Sequence, residues 1–340
     1  MPSILETPSN SSLSSAKKSC QINNWVELFR EHTVKTRFVN LTPEFLNYLS
    51  ADSIFLPNSN CKTVYENTVD NYSDSDSDSD SQSEEKNLPS FPAIEQEIRE
   101  IIHTLGGRVF PKLNWSSPKD SAWISASGNL SCVDANDIFL LLKSSDFIVN
   151  DLSYKDEVQM KLCLRKWYDL QPSMEFRCFV KNNQLFAITQ RDHLNYYEFL
   201  LELKSKILYC IKDFFGEKIK NTFPENDYTF DIYLTKDLKP FLLDFNPLEK
   251  ETDTMLFGWE ELRVSNAEEE IKEIEFRIVE SQQEANFNSS SQMAFSTNRV
   301  PKDAIDMSSG VSVIDFMKNM TEQMQAGLTI DSDDEEIDKE

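Results

Sequence analysis

Apolar residues in this chain recur with two periods, and the period of two marks its most informative segments. Between residues 228 and 234 every even-numbered residue is apolar, which predicts a strand with Asp231 on its opposite face. Between residues 240 and 247 a second strand is predicted, with Asp244 and Asn246 on the face opposite to Phe241, Leu243 and Phe245. A turn over residues 235–239 would pair the two strands antiparallel and place Asp231 near Asp244.

The shared polar face of these two strands predicts a metal site. Asp and Asn are depleted in strands, so their presence at alternate positions needs a reason other than strand stability. Two carboxylates and an amide oxygen are the hard ligands that Mg²⁺ prefers when it is bound together with phosphates. The plainer interpretation is a pair of solvated faces, but the like charges would then repel one another. We therefore predict a Mg²⁺ site formed by Asp231, Asp244 and Asn246.

Further elements follow from the same two periods. Helical spacing predicts helices over residues 92–105, 137–142 and 196–218. Alternation predicts strands over residues 36–39 and 161–167, and a hairpin of residues 175–181 and 184–190. The Asn182-Asn183 turn of that hairpin would place Glu175 opposite Gln190. Strands, hairpins and helices within one chain predict an α+β fold.

Composition divides the chain into folded and unfolded stretches. Two acidic runs, a Ser-Asp repeat near residue 75 and the C-terminal end, lack the apolar residues needed for a core. We expect a disordered N-terminus (1–19), an N-terminal part of the folded body (20–57) and an acidic disordered linker (58–88). After them we expect the core (89–264), a disordered insertion (265–298), a return segment (299–327) and an acidic tail (328–340).

Charge and cysteine content restrict the class of protein. The formal net charge is −24 over 340 residues, which argues against binding to nucleic acid or to an anionic membrane. The six cysteines are scattered without a C-x-x-C pair, which is typical of a reducing compartment. No signal peptide or membrane-spanning segment is apparent, so we expect a cytoplasmic protein, and we expect it to be a monomer.

Basic residues stand in otherwise apolar strands and point to a phosphate ligand. Lys112, Arg165, Lys166, Arg177 and Arg191 all lie within or at the end of predicted strands. A cation in a strand interior is costly unless an anion pairs with it. Salt bridges, such as Glu175 with Arg177 or Arg191, would meet that need for any one of them. The whole set, beside a metal site, is typical of a nucleoside triphosphate site.

Several motifs in the same order and spacing resemble the eukaryotic cell division cycle protein 123 family. The resemblance covers residues 20–50 and 90–262 and extends weakly to the segment Pro301-Lys-Asp. The matching stretches are Phe110-Pro-Lys-Leu-Asn-Trp-Ser-Ser-Pro-Lys-Asp120, Asp137-Ile-Phe-Leu-Leu-Leu-Lys-Ser-Ser-Asp-Phe147, Leu164-Arg-Lys-Trp167, Glu175-Phe-Arg-Cys-Phe-Val180, Gln190-Arg-Asp192, Phe230-Asp-Ile-Tyr233 and Leu243-Asp-Phe-Asn-Pro247.

The resemblance implies an ATP-grasp-like fold with two subdomains that enclose ATP and Mg²⁺. It also implies an assembly factor that binds the γ subunit of eukaryotic translation initiation factor 2 so that the α subunit can join. The implied nucleotide residues are Lys112 at the phosphates, a loop of Asn114, Trp115, Ser116, Ser117 and Pro118, a hinge of Arg165, Lys166 and Trp167 near the adenine, Glu175, Arg177 and Arg191, and the metal ligands Asp231, Asp244 and Asn246.

Two alternatives stay open at this point. The first is an ATP-grasp carboxylate–amine ligase of unknown substrate, which would need an acceptor pocket beside the γ-phosphate. The second is a scaffold whose nucleotide site is vestigial. For an assembly factor we expect an apolar and acidic partner face formed by Phe257, Trp259, Glu260 and Glu261, unless the two aromatic residues pack into the core.

Overall fold

The computed structural model describes residues 13–51, 57, 89–264 and 273–295. By its contacts the chain divides into two compact units, Met1–Ser289 and Ser290–Glu340, and the second contributes only the end of one helix to the described residues. The helices are α1 (Ser15–Ser19), α2 (Ile22–Trp25), α3 (Pro43–Ser50), α4 (Pro92–Thr104), α5 (Ala135–Lys143), α6 (Asp146–Leu152), α7 (Glu198–Phe214), α8 (Trp259–Val264) and α9 (Gln282–Phe295). The strands are β1 (Thr36–Asn40), β2 (Val109–Lys112), β3 (Lys161–Lys166), β4 (Glu175–Lys181), β5 (Gln184–Gln190), β6 (Tyr228–Leu234), β7 (Pro240–Pro247) and β8 (Glu275–Arg277).

The strands form two sheets, which confirms the α+β class. The small sheet has the order β1-β3-β2 and is antiparallel throughout. The large sheet has the order β7-β6-β4-β5-β8, with only the β5–β8 pair parallel among the strands described. Each sheet has its own hydrophobic core. Helices α3, α4 and α5 cover the small sheet, while α7 and the N-terminal helix α2 cover the large one.

Helix α4 shows how the sequence sets the end of an element. Its buried face consists of isoleucines at helical spacing, and Pro92 stands at the first position, where its missing N–H costs nothing. Gly106 adopts a φ of +96°, and the N–H of Gly107 donates to the carbonyl of Ile102 at 2.8 Å. This is a Schellman motif, and it ends the helix at Thr104, one residue before the predicted end.

The β4–β5 hairpin has the predicted turn but not the predicted register. Asn182 and Asn183 have φ values of 50° and 57°, as a tight two-residue turn requires. The pairing then shifts between Phe179 and Val180, because one residue of β5 is left over in a bulge. Gln190 therefore lies opposite Phe176, and the prediction that it faces Glu175 was wrong.

The β6–β7 hairpin places its two acidic residues opposite each other, as predicted. Asp231 lies directly opposite Asp244, but the register shifts by one residue immediately after this pair. The bulge turns Leu243 away from the core and leaves Leu242 and Phe245 as the buried residues of β7. The predicted face of Phe241, Leu243 and Phe245 is therefore wrong, and Phe241 is exposed.

The segment before β1 connects the two sheets. Thr33 forms a bridge with Leu242 of β7, and its hydroxyl donates to the Leu242 carbonyl at 2.7 Å. The N–H of Leu242 in turn donates to the carbonyl of His32 at 2.8 Å. Three residues later the chain enters the small sheet as β1, so this segment crosses from one sheet to the other.

Two predicted disordered stretches contain ordered structure where the chain is described. Helix α1 lies within the predicted disordered N-terminus, and its N-cap Ser14 accepts from the N–H of Lys17. Strand β8 and helix α9 lie within the predicted insertion, where β8 extends the large sheet. The acidic linker 58–88, residues 265–272, the return segment 299–327 and the acidic tail lie outside the described residues. In the part of the chain that the structure describes, no helix has the length and apolar character needed to cross a lipid bilayer.

Candidate functional site

A cavity of about 470 Å³ opens between the small sheet and the large sheet. This volume lies within the range of small-molecule sites, which are usually concave and formed between layers of structure. Apolar and charged side chains both contribute to the wall. The lining residues are Val34, Phe110, Lys112, Ser117, Lys119, Ala122, Gly128, Asn129, Leu130, Arg165, Lys166, Trp167, Tyr168, Asp169, Leu170, Glu175, Arg191, Asp231, Leu243 and Asp244.

Asp231 is fully buried on the wall formed by the large sheet. Arg177, its cross-strand neighbour on β4, donates to both carboxylate oxygens at 2.8 Å. Arg191 adds a second cation, with its Nε 3.2 Å from Oδ2 of Asp231. Burial alone would raise the pKa of the Asp231 carboxyl, but the two guanidinium groups hold it below its usual range. Asp231 is therefore a carboxylate at neutral pH.

Asp244 joins the two sheets through Lys112. The ammonium of Lys112, at the end of β2, donates to Oδ2 of Asp244 on β7. Both side chains are poorly exposed, at 3% for Lys112 and 20% for Asp244. The other carboxylate oxygen, Oδ1, is buried and has no hydrogen-bond partner among the described residues. A buried carboxylate oxygen without a donor is the feature expected where a cation or a ligand group would bind.

Arg165 forms a second connection between the sheets. Its Nη1 donates to the carbonyl of Leu243 at 2.6 Å, and its Nη2 donates to the hydroxyl of Thr33 at 2.9 Å. The guanidinium lies 5.8 Å from the ring centre of Trp25 and 5.5 Å from that of Phe110. Burial lowers the pKa of Arg165, whose Nε has no partner in the described chain. One N–H of this cation is therefore unused in the cavity wall.

Glu175 and Arg191 form an ion pair where β4 begins and β5 ends. Nη1 of Arg191 donates to Oε2 of Glu175 at 2.8 Å, and both side chains are 20% exposed. Desolvation lowers the pKa of Arg191, but Asp231 and Glu175 outweigh it, and the pKa lies above its usual range. The salt bridge foreseen as an alternative for this pair is present, and Arg191 still lines the cavity.

Within the loop after β2, the structure separates residues that line the cavity from residues that support it. Asn114 is buried, with Nδ2 bonded to Gln21 and to the Gln159 carbonyl, and Oδ1 bonded to the Lys161 N–H. The indole N–H of Trp115 donates to the carbonyl of Lys17 at 2.7 Å. Ser117 lines the cavity, whereas the residues that lie outside its lining are Asn114, Trp115, Ser116 and Pro118.

The hinge after β3 lies beside the apolar part of the cavity. Trp167 contacts Phe110 edge to face, with ring centres 6.3 Å apart. The backbone N–H of Lys166 donates to the carbonyl of Lys35, and that of Trp167 donates to the carbonyl of Arg108. These two N–H groups are therefore occupied, while the residues Lys166 and Trp167 both contribute to the cavity lining.

Two further predicted site residues do not line the cavity. Arg177 contacts Asp231 and the carbonyl of Asp253, so its position is behind the cavity wall. Asn246 pairs with Thr229, two residues along β7 from Asp244, and is half-buried. Among the described residues, no group of three or more His, Cys, Asp and Glu side chains could hold a metal ion. A metal here would depend on two carboxylates and the Asn246 amide.

Lys119 is a cation in the cavity wall that the sequence did not single out. It begins a 3₁₀ helix, Lys119–Ile124, and lines the cavity although the residue as a whole is exposed. The positive charge of Arg191 and, secondly, desolvation lower its pKa to about 7, against the opposing effect of Asp231 and Glu175. The motif Ser-Ser-Pro-Lys-Asp contained this lysine, but its loop position gave no periodic signal.

The expected partner face is partly buried. Phe257 contacts Phe179, with ring centres 5.6 Å apart, and the guanidinium of Arg277 lies 4.1 Å from its ring centre. Glu261 forms hydrogen bonds with Arg277 through both carboxylate oxygens. The alternative that Phe257 packs into the core is therefore confirmed, while Trp259 on helix α8 is half-buried and Glu260 is exposed.

Comparisons with known proteins agree with these motifs. A family model described as D123 matches residues 25–308 of the chain. Similar proteins include the translation initiation factor eIF2 assembly protein of Sclerotinia sclerotiorum, 41% identical over 260 residues that cover 72% of this chain and 63% of that protein. The protein of the same name from Xenopus tropicalis is 36% identical over 328 residues, which cover 90% of this chain and 96% of that one.

A solved structure supports the same relationship. The structure of Cdc123 from Schizosaccharomyces pombe matches with a TM-score of 0.64 at 35% sequence identity, and covers 79% of this chain and 100% of that one. The family model spans well over half of the chain, and the motifs lie within the matched residues. The chain therefore belongs to the D123 family, which confirms the resemblance to cell division cycle protein 123.

Proposed function

We propose that this protein binds ATP with Mg²⁺ between its two sheets and acts as an assembly factor for eukaryotic translation initiation factor 2. In this proposal it binds the γ subunit so that the α subunit can join. The relatives from Sclerotinia sclerotiorum and Xenopus tropicalis are both named as eIF2 assembly proteins, which supports the role in assembly. The γ subunit and the nucleotide rest on the resemblance and on the chemistry of the cavity.

The observation that carries the nucleotide proposal is the set of cations that converge on one cavity. The cations come from three parts of the chain and all line it: Lys112 and Lys119 at the end of β2 and in the loop after it, Arg165 on β3, and Arg191 just after β5. The buried Nε of Arg165 lacks a hydrogen-bond partner in the described chain, and that of Arg191 has only its ion pair with Asp231. Donors without acceptors are costly unless a ligand supplies the acceptors. Phosphate oxygens are suitable acceptors, because arginine and lysine bind them with charge-assisted hydrogen bonds.

The remaining residues take roles that follow from their positions. Phe110 and Trp167 would form an apolar slot for the base. The backbone N–H groups of Lys166 and Trp167 are already hydrogen-bonded, so other main-chain groups nearby would bind the polar edge of the base. Arg177 would orient Asp231 from behind the wall. Asn114, Trp115, Ser116 and Pro118 would support the loop that carries Ser117.

Asp231, Asp244 and Asn246 would hold the Mg²⁺. The free Oδ1 of Asp244 beside the ionised Asp231 fits an oxygen-binding cation. When bound, Mg²⁺ shields the negative charge of the phosphates. The Lys112 ammonium donates to Asp244 and so neutralises part of this acidic wall. When the nucleotide binds, the same ammonium would be near enough to contact a phosphate in place of Asp244.

Reconstitution of the γ and α subunits tests the proposal. Purified α and γ would be mixed with the protein, with ATP-Mg²⁺ or without nucleotide, and the α–γ complex would be measured by gel filtration. We expect faster complex formation only when the protein and ATP-Mg²⁺ are both present. Complex formation at the rate of the subunits alone, under every condition, would refute the assembly role.

One observation favours the ligase alternative. A shallow groove of about 240 Å³ adjoins the cavity and shares Lys119, Glu175 and Arg191 with it. Its other residues include His193 and Asp253, so polar groups lie beside the expected phosphate end. Release of ADP from ATP, measured with and without mixtures of amino acids, separates the two functions. Slow or absent release supports the assembly factor, while release that depends on an added amine or acid supports a ligase.

A further inference from the structure

Helix α6 lies behind the loop that carries Ser117 and Lys119. Near the end of the helix, Asp151 is only 3% exposed and its carboxylate points into that loop. Oδ2 accepts from the backbone N–H of Ser116 at 2.8 Å and of Trp115 at 3.2 Å. Oδ1 accepts from the hydroxyl of Ser116 at 2.9 Å. One buried carboxylate therefore fixes both residues that precede Ser117.

The other end of the loop is fixed to the start of the same helix. Oδ2 of Asp120 accepts from the N–H of Asp146 at 2.7 Å and from that of Phe147 at 3.3 Å. Oδ1 of Asp120 accepts from the hydroxyl of Ser145, the N-cap residue of α6, at 2.5 Å. The two carboxylates thus point in opposite directions, one from the helix to the loop and one from the loop to the helix.

The residues between these two attachments are the ones that line the cavity. Ser117 and Lys119 lie between Ser116 and Asp120, and the N–H of Lys119 donates to the carbonyl of Ser117 at 2.8 Å. No glycine occurs between Gly107 and Gly128, and Pro118 restricts the backbone further. A short loop without glycine that is held at both ends has little conformational freedom to lose on binding.

We propose that Asp151 and Asp120 are positioning residues that hold Ser117 and Lys119 in a preformed arrangement for the phosphates of the nucleotide. This inference rests on the proposed binding of ATP in the cavity. The two residues touch no ligand themselves; they act through the backbone of the loop. In place of a flexible glycine-rich loop that closes over its ligand, this chain presents a rigid loop fixed to helix α6.

Variants of Asp151 in the full-length protein test the inference. Asp151→Ala leaves two backbone N–H groups without an acceptor, whereas Asp151→Asn keeps an amide oxygen for them and an NH₂ group for the Ser116 hydroxyl. Calorimetry would give the affinity of each variant for ATP-Mg²⁺ and for adenosine. We expect Asp151→Ala to weaken ATP-Mg²⁺ binding at least about tenfold and to leave adenosine binding within about twofold, with most of the loss restored in Asp151→Asn.

A matched control and a second variant keep the test decisive. Asp156→Ala removes an exposed acid just after the same helix and is expected to change neither affinity. If Asp151→Ala does not fold, Asp120→Ala releases the loop from its other end and should show the same selective loss of ATP binding. Equal weakening of ATP and adenosine, or no weakening in a folded variant, would overturn the inference.

Hydrogen exchange separates failure of this inference from failure of the proposed function. In the absence of nucleotide, Asp151→Ala should speed amide exchange at residues 115–119 relative to the wild type and to Asp156→Ala. If the wild type binds no nucleotide, the proposed function fails, whatever the exchange shows. If exchange at residues 115–119 is unchanged in Asp151→Ala, the loop is not held by Asp151 and the inference fails.

Discussion

The ammonium of Lys112 on the small sheet donates to the carboxylate of Asp244 on the large sheet, across 132 residues of sequence. The pair lies in the wall of the cavity and is mostly buried. Arg165 on β3 binds the Leu243 carbonyl of the same β7 bulge. The Lys112–Asp244 pair and Arg165 therefore connect this bulge to strands β2 and β3 of the small sheet. The relative position of the sheets therefore depends on charged groups that also line the candidate nucleotide site.

The first prediction concerns the strength of this ion pair. Lys112→Met or Asp244→Asn alone should lower the free energy of unfolding by about 2 kcal/mol, because each leaves a mostly buried charge without its partner. The double variant should lose less than the sum of the two. Urea denaturation of the four proteins gives the coupling energy, and strictly additive losses would show that the two residues do not interact.

The second prediction concerns the metal ligands. Asp244→Ala should weaken ATP-Mg²⁺ binding at least about tenfold, because it removes the carboxylate oxygen that has no other partner. Asp237→Ala, an exposed acid in the turn of the same hairpin, is the control and should leave binding unchanged. Calorimetry with and without Mg²⁺ checks both. Wild-type affinity in Asp244→Ala would exclude this residue from the metal site.

The third prediction concerns pH. The pKa of Lys119 is lowered to about 7 in the free protein, chiefly by Arg191, and bound phosphates would raise it again. Because the complex then holds the proton more tightly, binding takes up a proton, and affinity falls as the pH rises. We expect ATP to bind about fivefold more weakly at pH 8 than at pH 7 as a result of this group alone.

Lys119→Arg is the control for the pH prediction, because arginine keeps its charge throughout this range. Calorimetry in buffers of different ionisation enthalpy measures the proton uptake directly. The uptake near pH 7.5 should be larger in the wild type than in Lys119→Arg. The same uptake in both proteins would assign the pH dependence to the nucleotide or to another residue.

The fourth prediction separates support from contact in the loop after β2. Asn114→Ala should lower the free energy of unfolding by about 2 kcal/mol or more, because its buried amide bonds to Gln21, Gln159 and Lys161. Affinity for ATP, measured well below the melting temperature, should change less than about threefold. Asn221→Ala, at an exposed position, is the matched control. A stable variant with lost ATP binding would instead place Asn114 in contact with the nucleotide.

The fifth prediction concerns the partner. If ATP contacts both sheets, it favours one arrangement of them, so ATP and the γ subunit should influence each other's affinity by the same factor. Calorimetry of γ with and without ATP-Mg²⁺, and of ATP-Mg²⁺ with and without γ, gives the two factors. We expect each to exceed about fivefold. Binding of γ that is indifferent to ATP would separate the nucleotide from the assembly role.

The alternation of apolar residues was sufficient to predict the hairpin that holds Asp231 and Asp244, since each strand has one face in the core. It could not predict the bulges after Asp231 and Phe179, because the extra residue is accommodated by packing against neighbouring strands. The prediction for Gln190 failed for this reason. The period specifies the faces of a strand only up to a bulge, and tertiary contacts decide where the register shifts, which is also why the predicted face of β7 was wrong.

Loop residues and pairings between distant residues were the other features that sequence patterns could not predict. Lys119 has no periodic neighbours, and the bridge of Thr33 to β7 joins residues 209 positions apart. Strand β8 consists of three residues in a polar stretch, and it is a strand because β5 offers it an edge. In each case the deciding interaction comes from another part of the chain.

The crossing of Thr33 from β7 to the small sheet has a consequence for synthesis of the protein on the ribosome. Residues 32 and 33 are made more than 200 residues before their partner Leu242 and the site residue Asp244. Contacts this distant in sequence slow folding, because a long loop must close before they form. If the two sheets close around a nucleotide as proposed, they can do so only after β7 has left the exit tunnel, so the nucleotide would act on the completed sheets and not on the early steps of folding.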